Sequence, residues 1–296
     1  MKVLFIANPC SGRGKLKNEL LDILTLFCKK GYEVTTHITT KQGNATEVVR
    51  NAKDNGYDLL VCCGGDGTLN EVVTGMIRGK CDIPLSYIPA GTTNDFARTL
   101  ELETDMLEAA KAVLKGKKKV KVDIGKFSTN RYFTYIASFG LFTSVSYKTQ
   151  QTAKNALGHM AYIFEGIANI GNIEDFKISY EADGKKYEGD YIYGGITNST
   201  SIAGIFKYDH KIVDLCDGLF EVLMIKKPKT PNEFVKIISG ITTGDLSDTS
   251  VFDFCKASKI TLNMPEGVIW TLDGEPAKGR TKVVIENLPG RIKFIS

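Results

Sequence analysis

Leu59-Leu60-Val61-Cys62-Cys63-Gly64-Gly65-Asp66-Gly67-Thr68-Leu69-Asn70-Glu71 is the stretch whose reading decides the fold. It follows the turn-like Asn55-Gly56-Tyr57-Asp58 and opens as a short apolar run, which predicts a buried strand. It then passes through Gly-Gly-Asp-Gly into residues with Val72, Val73 and Met76 at helical spacing. A strand, a glycine turn and a helix together aim unpaired backbone N–H groups from the positive end of the helix. Such an end favours phosphate, and glycines allow the phosphate to come close to the backbone. Asp66 would repel a bare anion, so its carboxylate points to a metal ion or a transferred proton. Taken alone, the same stretch also fits a tight turn with an exposed Asp, so the rest of the chain has to decide.

Outward from this centre the pattern repeats. Residues 3–7 are a near-continuous apolar run, followed by Asn8-Pro9-Cys10-Ser11-Gly12-Arg13-Gly14. Leu20, Leu21, Leu24 and Phe27 then recur at helical spacing up to Gly31. Residues 32–38 alternate as a strand, the next loop carries Thr39 and Thr40, and Asn44 is placed to cap a helix over 45–53. Residues 84–88 form another short strand leading to Pro89-Ala90-Gly91-Thr92-Thr93-Asn94-Asp95-Phe96-Ala97-Arg98, and residues 105–114 read as a helix. Alternating strands and helices imply a parallel sheet covered on both faces. Ligands gather at the carboxyl ends of such strands, and four loops rich in Gly, Thr, Asn and Asp fall there.

Beyond residue 117 the pattern changes to alternating strands. A helical stretch is expected within residues 142–169. A hairpin is expected over 173–196 around Asp183-Gly184, with further strands at 218–225, 259–262, 268–272, 282–285 and 291–295. Residues 231–241 read as a helix with Pro near its start. The fold class is therefore an α/β N-terminal domain with a parallel sheet plus a mainly antiparallel β-sandwich C-terminal domain. The boundaries are 1–122 and 123–296, with a return of the last strand to the first domain left open.

The 296 residues, 43% hydrophobic and 24% charged, are those of a globular protein. No apolar run approaches the roughly 20 residues of a membrane span, and the first residues read as a strand and not as a signal peptide. Seven cysteines without Cys-x-x-Cys spacing and three scattered histidines argue for reduced thiols in a cytoplasmic protein and against a zinc site. The net charge of +4 is mild, but lysines bunch at residues 115–121 and 226–229. With no aromatic interleaving, these runs suit an anionic membrane surface better than nucleic acid.

With these loops in view, the sequence resembles the bacterial diacylglycerol kinase-like lipid kinases, a family related to sphingosine and ceramide kinases. Asn8-Pro9-x-Ser11-Gly12-x-Gly14, the block Gly64 to Glu71, Pro89-x-Gly91-Thr92-x-Asn94-Asp95-x-Ala97-Arg98 and Asp273-Gly274-Glu275 carry the resemblance, in order along the whole chain. It implies a first domain of the phosphofructokinase and NAD-kinase type. It also implies nucleotide contacts at Asn8, Pro9, Cys10, Ser11, Gly12, Thr39 (or Thr40), Gly64, Gly65, Asp66, Gly67, Thr68, Leu69, Asn70 and Thr92. Glu275 matches the family's general base, and Asp66 the carboxylate beside the transferred phosphate. Asn94, Asp95, Arg98 and Asp123 would shape the substrate cleft. Asp214, Asp217 and Leu219 fit a structural metal site, which an ordinary Asp-Gly turn explains about as well.

The expected reaction is transfer of a phosphoryl group from ATP, with Mg²⁺, to a lipid hydroxyl, most simply that of diacylglycerol. The expected partner is a membrane lipid with a free hydroxyl, reached by reversible contact with the inner membrane face. Its acyl chains would lie near residues 139–147 and 162–164. No nucleic-acid partner is expected, and homodimerisation is left open. The alternatives are an NAD kinase, which the Asn94 to Arg98 block argues against, and a silent lipid or nucleotide sensor, which the intact Asp66 and Glu275 argue against.

Overall fold

A computed structural model describes residues 1–92, 94–128, 130–141, 173–199, 201–202, 206–207 and 213–296. The helix expected within 142–169 and the acyl-chain residues of 142–147 and 162–164 lie outside the described residues. The chain forms two compact units, Met1–Ile124 with Pro289–Ser296, and Gly125–Leu288.

In the first unit, strands β1 (Lys2–Ala7), β2 (Glu33–Ile38), β3 (Leu59–Gly64) and β4 (Leu85–Pro89) pair in parallel in the order β2-β1-β3-β4. β3 and β4 are buried at every position, as expected of central parallel strands, whereas β2 is an edge strand with no buried residue. The final strand, β17 (Lys282–Ile295), places Phe294 beside Leu85 in parallel. β5 (Lys119–Phe127) pairs with β17, and Lys118 and Ser296 exchange two backbone hydrogen bonds at 2.7 and 3.0 Å.

Around the sheet lie α1 (Leu16–Lys29), α2 (Asn44–Arg50), α3 (Asp66–Arg78), α4 (Asp95–Thr99) and α5 (Met106–Lys115). α1 buries Leu16, Ile23 and Phe27, and the Phe27 ring meets Phe5 edge-on at 5.9 Å. α2 packs onto α3 where α3 has no side chains. A Cβ on Gly75 would lie 2.8 Å from Thr46 O, and one on Gly79 would lie 2.3 Å from Arg50 O.

In the second unit, β6 (Arg131–Phe133), β7 (Ile136–Gly140), β8 (Phe176–Ala182) and β9 (Lys185–Thr197) are followed by the short pair β10 (Ser201–Ile202) and β11 (Phe206–Lys207). Then come β12 (Phe220–Lys226), α6 (Pro231–Thr243), β13 (Phe252–Ala257), β14 (Lys259–Asn263), β15 (Ile269–Leu272) and β16 (Glu275–Lys278). Pairing is antiparallel in the order β16-β15-β7-β9-β8-β14-β17, and β12 bridges β9 and β13. Trp270 is fully buried, with its ring 4.8 Å from that of Phe139 and 5.2 Å from that of Phe127. Phe139, one of the residues expected along the acyl chains, thus belongs to this core. Tyr180 stacks on Tyr187 at 4.6 Å.

The α/β-then-antiparallel class is as the sequence predicts. Three local readings change. The residues expected as two strands at 282–285 and 291–295 form one strand that continues through Pro289 and Gly290. Asn44 is not a cap but the first residue of α2, with Gly43 before it at φ +83°, and the helix ends at Arg50. β13 and β16 have too little alternation to be seen in sequence.

The α2–α3 crossing generates a test. Alanine at an interior helical position normally gains about 1 kcal/mol over glycine. At Gly75 the overlap with the Thr46 carbonyl, which is backbone and cannot swing away, outweighs that gain. Gly75→Ala is expected to lower unfolding free energy by about 1–3 kcal/mol, read from the urea midpoint.

Candidate active site

Three turns at the carboxyl ends of β1, β3 and β4 are locked together by backbone and small polar groups. Asn8 N donates to Cys63 O at 3.0 Å, and Asn8 Nδ2 donates to Thr68 Oγ1 at 2.8 Å. Asn8 Oδ1 accepts from Cys10 N at 3.0 Å, and Ser11 Oγ accepts from Gly65 N at 3.2 Å. A Cβ on Gly12, whose φ is +59°, would lie 2.3 Å from Ala90 O, and one on Gly91 would lie 2.8 Å from Gly65 Cα. Only glycine lets these backbones approach so closely. Thr39 N joins the group by donating to Ala7 O at 2.8 Å, while Thr40 N and its hydroxyl face Asn44 Oδ1.

At the head of α3, the first helical bond runs from Leu69 N to Gly65 O at 3.0 Å. The N–H groups of Gly67 and Thr68 therefore precede the first donor of the helical ladder. The Thr68 side chain covers Gly64, whose Cβ would lie 2.7 Å from that of Thr68. The side chain of Leu69 is in the core, so only its backbone can meet a ligand. Burial pushes the thiols of Cys62 and Cys63 up, so a neutral floor lies beneath the turn.

Asp66 is 9% exposed, and its two oxygens accept from Asp95 N at 3.3 Å and Phe96 N at 3.4 Å. Both bonds are long for N–H···O contacts. Asn94, at φ +49°, closes the turn before α4 by accepting from Gly91 N at 2.9 Å and donating to Gly91 O at 3.1 Å. Asp95 is buried, and Thr92 and Arg98 are exposed. Asp123 is fully buried and accepts from Gly290 N at 2.6 Å. The first unit thus brings its three turns together through Asn8, Ser11, Gly12, Gly65, Asp66, Thr68, Gly91 and Asp95.

Glu71 is the residue that sequence reasoning quoted but gave no role. Its carboxylate accepts from Gly43 N at 2.7 Å and Ala45 N at 3.2 Å, and its carbonyl accepts from Thr46 Oγ1 at 2.9 Å. It serves the start of α2, the task expected of Asn44.

In the second unit, Glu275 is exposed and opens β16 after a two-residue turn, Asp273 at φ +49° and Gly274 at φ +86°. Asp214 Oδ1 accepts from Cys216 N and Asp217 Oδ1 from Leu219 N, each as a local turn. Lys256 Nζ lies 3.1 Å from Asp217 Oδ2 and 3.3 Å from Glu221 Oε1. Burial pushes the Glu221 carboxyl up to about 7, against the pull of Lys256. Among the described residues, no three His, Cys, Asp or Glu side chains are placed to hold a metal ion.

Residues 2–127 match the model of the diacylglycerol kinase catalytic domain. The diacylglycerol kinase of Bacillus subtilis is 34% identical over 91% of this chain and 88% of its own length. That of Staphylococcus aureus is 35% identical over 91% of this chain and 84% of its own. This chain belongs to the diacylglycerol kinase family. A crystal structure of a diacylglycerol kinase from Bacillus anthracis superimposes with a TM-score of 0.76 at 25% identity, over 99% of this chain and 96% of that one. Membership makes the chain a lipid kinase and favours that reading over an NAD kinase. Among the described residues, no helix is long and apolar enough to cross a membrane.

The Glu71 tether is open to a direct check. Glu71→Gln replaces one acceptor oxygen with an NH₂ group that opposes a backbone N–H. Amide hydrogen exchange at Gly43 and Ala45 is expected to speed up by about tenfold, matching a loss of about 1.4 kcal/mol, while exchange in β8 and β9 stays unchanged.

Proposed function

We propose that this kinase transfers the γ-phosphoryl group of ATP to the free hydroxyl of diacylglycerol, yielding phosphatidic acid. The observation that carries this reading is the interlocked glycine turn. Asp66 is braced there by two backbone N–H groups, in a chain that matches diacylglycerol kinases over nine-tenths of its length.

Phosphoryl transfer asks mainly for positioning and for neutralisation of charge. The backbones of Asn8 to Gly12 and of Gly64 to Asn70, with the side chains of Thr68, Asn70, Thr92 and Thr39, would hold the nucleotide. Mg²⁺, when bound, would offset the phosphate charge, and a carboxylate oxygen such as those of Asp66 is the kind of hard ligand it takes. Glu275 would accept the proton of the attacking hydroxyl. Asn94 and Asp95 fix the turn facing Asp66, and Arg98 is an exposed cation that would attract the phosphate of the product. The set Asp214, Asp217 and Leu219 enters no step, because Lys256 already answers the charge of Asp217.

Diacylglycerol resides in a bilayer, and the lysine runs differ in what they can offer it. Lys226 pairs with Asp253 at 2.8 Å and Lys227 with Asp175 at 2.5 Å, so the 226–229 run is largely neutralised. Lys115, Lys117, Lys119 and Lys121 are all exposed. Lys293, on the strand that pairs with β5, is exposed as well. Like charges so gathered repel, and an anionic lipid surface relieves that repulsion. The protein thus acts as a peripheral enzyme at the inner face of the membrane through the 115–121 run.

Three outcomes test this function. Incubation with labelled ATP, Mg²⁺ and mixed vesicles should label phosphatidic acid, and Glu275→Gln should lower kcat by about 10²–10³-fold. Label on NAD instead of lipid would overturn the assignment. Lys119→Glu with Lys121→Glu should weaken sedimentation with phosphatidylglycerol vesicles at low salt by more than about tenfold, at about 1 kcal/mol per lysine.

A further inference from the structure

The side chain of the assigned base, Glu275, makes no hydrogen bond or ion pair with any described residue. Something other than its own side chain must set its position. The residue two places before it is unusual for a turn. An Asp at the first position of a two-residue Asp-Gly hairpin turn normally faces water. Asp273 is 5% exposed. Its Oδ2 accepts from Thr134 N at 2.6 Å and from Thr134 Oγ1 at 2.9 Å, and its Oδ1 accepts from Tyr135 N at 3.0 Å and Ile136 N at 3.1 Å. In return, Asp273 N donates to Ile136 O at 3.0 Å.

Three successive backbone N–H groups and one hydroxyl thus form a nest around the carboxylate, in the segment that joins β6 to β7. Three of these four groups are backbone N–H donors, which match the acceptor oxygens of a carboxylate. The turn is closed on its far side by the pairing of Leu272 with Glu275, and Arg131 Nη1 donates to Pro276 O at 2.6 Å. The backbone of Glu275 is therefore clamped on both flanks while its carboxylate stays unengaged. That is what a proton acceptor needs: a fixed origin and a free oxygen.

We propose that Asp273 is a positioning residue for Glu275, fixing the hairpin tip from which the base reaches the lipid hydroxyl. This inference rests on the assignment of Glu275 as proton acceptor. The nest is specific for a carboxylate. An asparagine would turn an NH₂ group against N–H donors and release the tip, although the backbone could fold as before.

The test compares wild type, Asp273→Asn, Glu275→Gln and the double variant, with kcat and KM measured for ATP and for diacylglycerol in mixed micelles. Asp273→Asn is expected to lower kcat by about 10–100-fold with the KM for ATP held within about twofold, because a transition-state contact is lost and not nucleotide binding. On the Glu275→Gln background the same change is expected to cost less than about threefold, since nothing remains to be positioned. An equal loss on both backgrounds, or a wild-type kcat for Asp273→Asn when Glu275→Gln is slow, overturns the positioning role alone. A wild-type kcat for Glu275→Gln overturns both assignments. Should Asp273→Asn fail to fold, Thr134→Val removes only the hydroxyl donor. It is expected to lower kcat by about three- to tenfold with the same background dependence, and an equal loss on both backgrounds overturns the role.

Discussion

Backbone meeting backbone, where side chains are absent, is the constraint on which the first unit depends. Gly12 lies against the carbonyl of Ala90, and Gly65 lies against Gly91. A methyl group at Gly12 or Gly91 would come within 2.8 Å of a neighbouring turn, so the ends of β1, β3 and β4 hold together only as glycine-bearing turns. The strands beneath are buried on both faces, which leaves the turns as the part of each strand that can meet a ligand. Close backbone contact thus does two things at once. It fixes three loops without apolar side chains, and it keeps their N–H groups near the surface.

The second unit fixes its turns by the opposite means, with carboxylates in place of missing side chains. Two Asp-Gly turns share one backbone shape, Asp183 at φ +44° and Asp273 at φ +49°, each followed by a glycine near +87°. Both aspartates reach across to another segment. Asp183 accepts from Ser258 N at 2.7 Å, Ser258 Oγ at 3.0 Å and Lys259 N at 2.9 Å. Partial burial pushes that carboxyl up, but the bonds from Ser258 and Lys259 outweigh it and hold the group below its usual range. One device therefore sets both the rim hairpin of β8 and β9 and the tip that bears Glu275. Only the second of these bears the residue proposed as proton acceptor.

What could be read in the sequence follows from the range of the interactions. The strand, glycine turn and helix at residues 59–78 were legible because period and glycine placement are local signals. Asn44 was read as a cap for the same local reason. The carboxylate that serves α2 comes from Glu71, 28 residues beyond Gly43, and no local pattern reveals such a partner. The lysines at 226–229 looked like a basic patch because their acids, Asp175 and Asp253, are distant in the chain. Pro289-Gly290 marks a strand end in most sequences, yet Gly290 N donates to Asp123 at 2.6 Å and β17 runs on. The motif Asp273-Gly274-Glu275 was legible as a motif, but the burial of its first carboxylate was not.

The carboxylates of α3 also narrow which donors remain for phosphate. Asp66 takes the N–H groups of Asp95 and Phe96, and Glu71 takes those of Gly43 and Ala45. Each neighbouring turn thus gives up its helix-start donors to an internal anion. An incoming polyphosphate that sought those same groups would face an existing carboxylate at about 3 Å and the repulsion of two like charges. The donors left to it are the backbone around Gly12 and the N–H groups of Gly67 and Thr68, with threonine hydroxyls beside them. On this argument the internal acids do more than brace the loops. By occupying those anion positions, they would steer the proposed nucleotide toward the remaining donors, with Asp66 beside it.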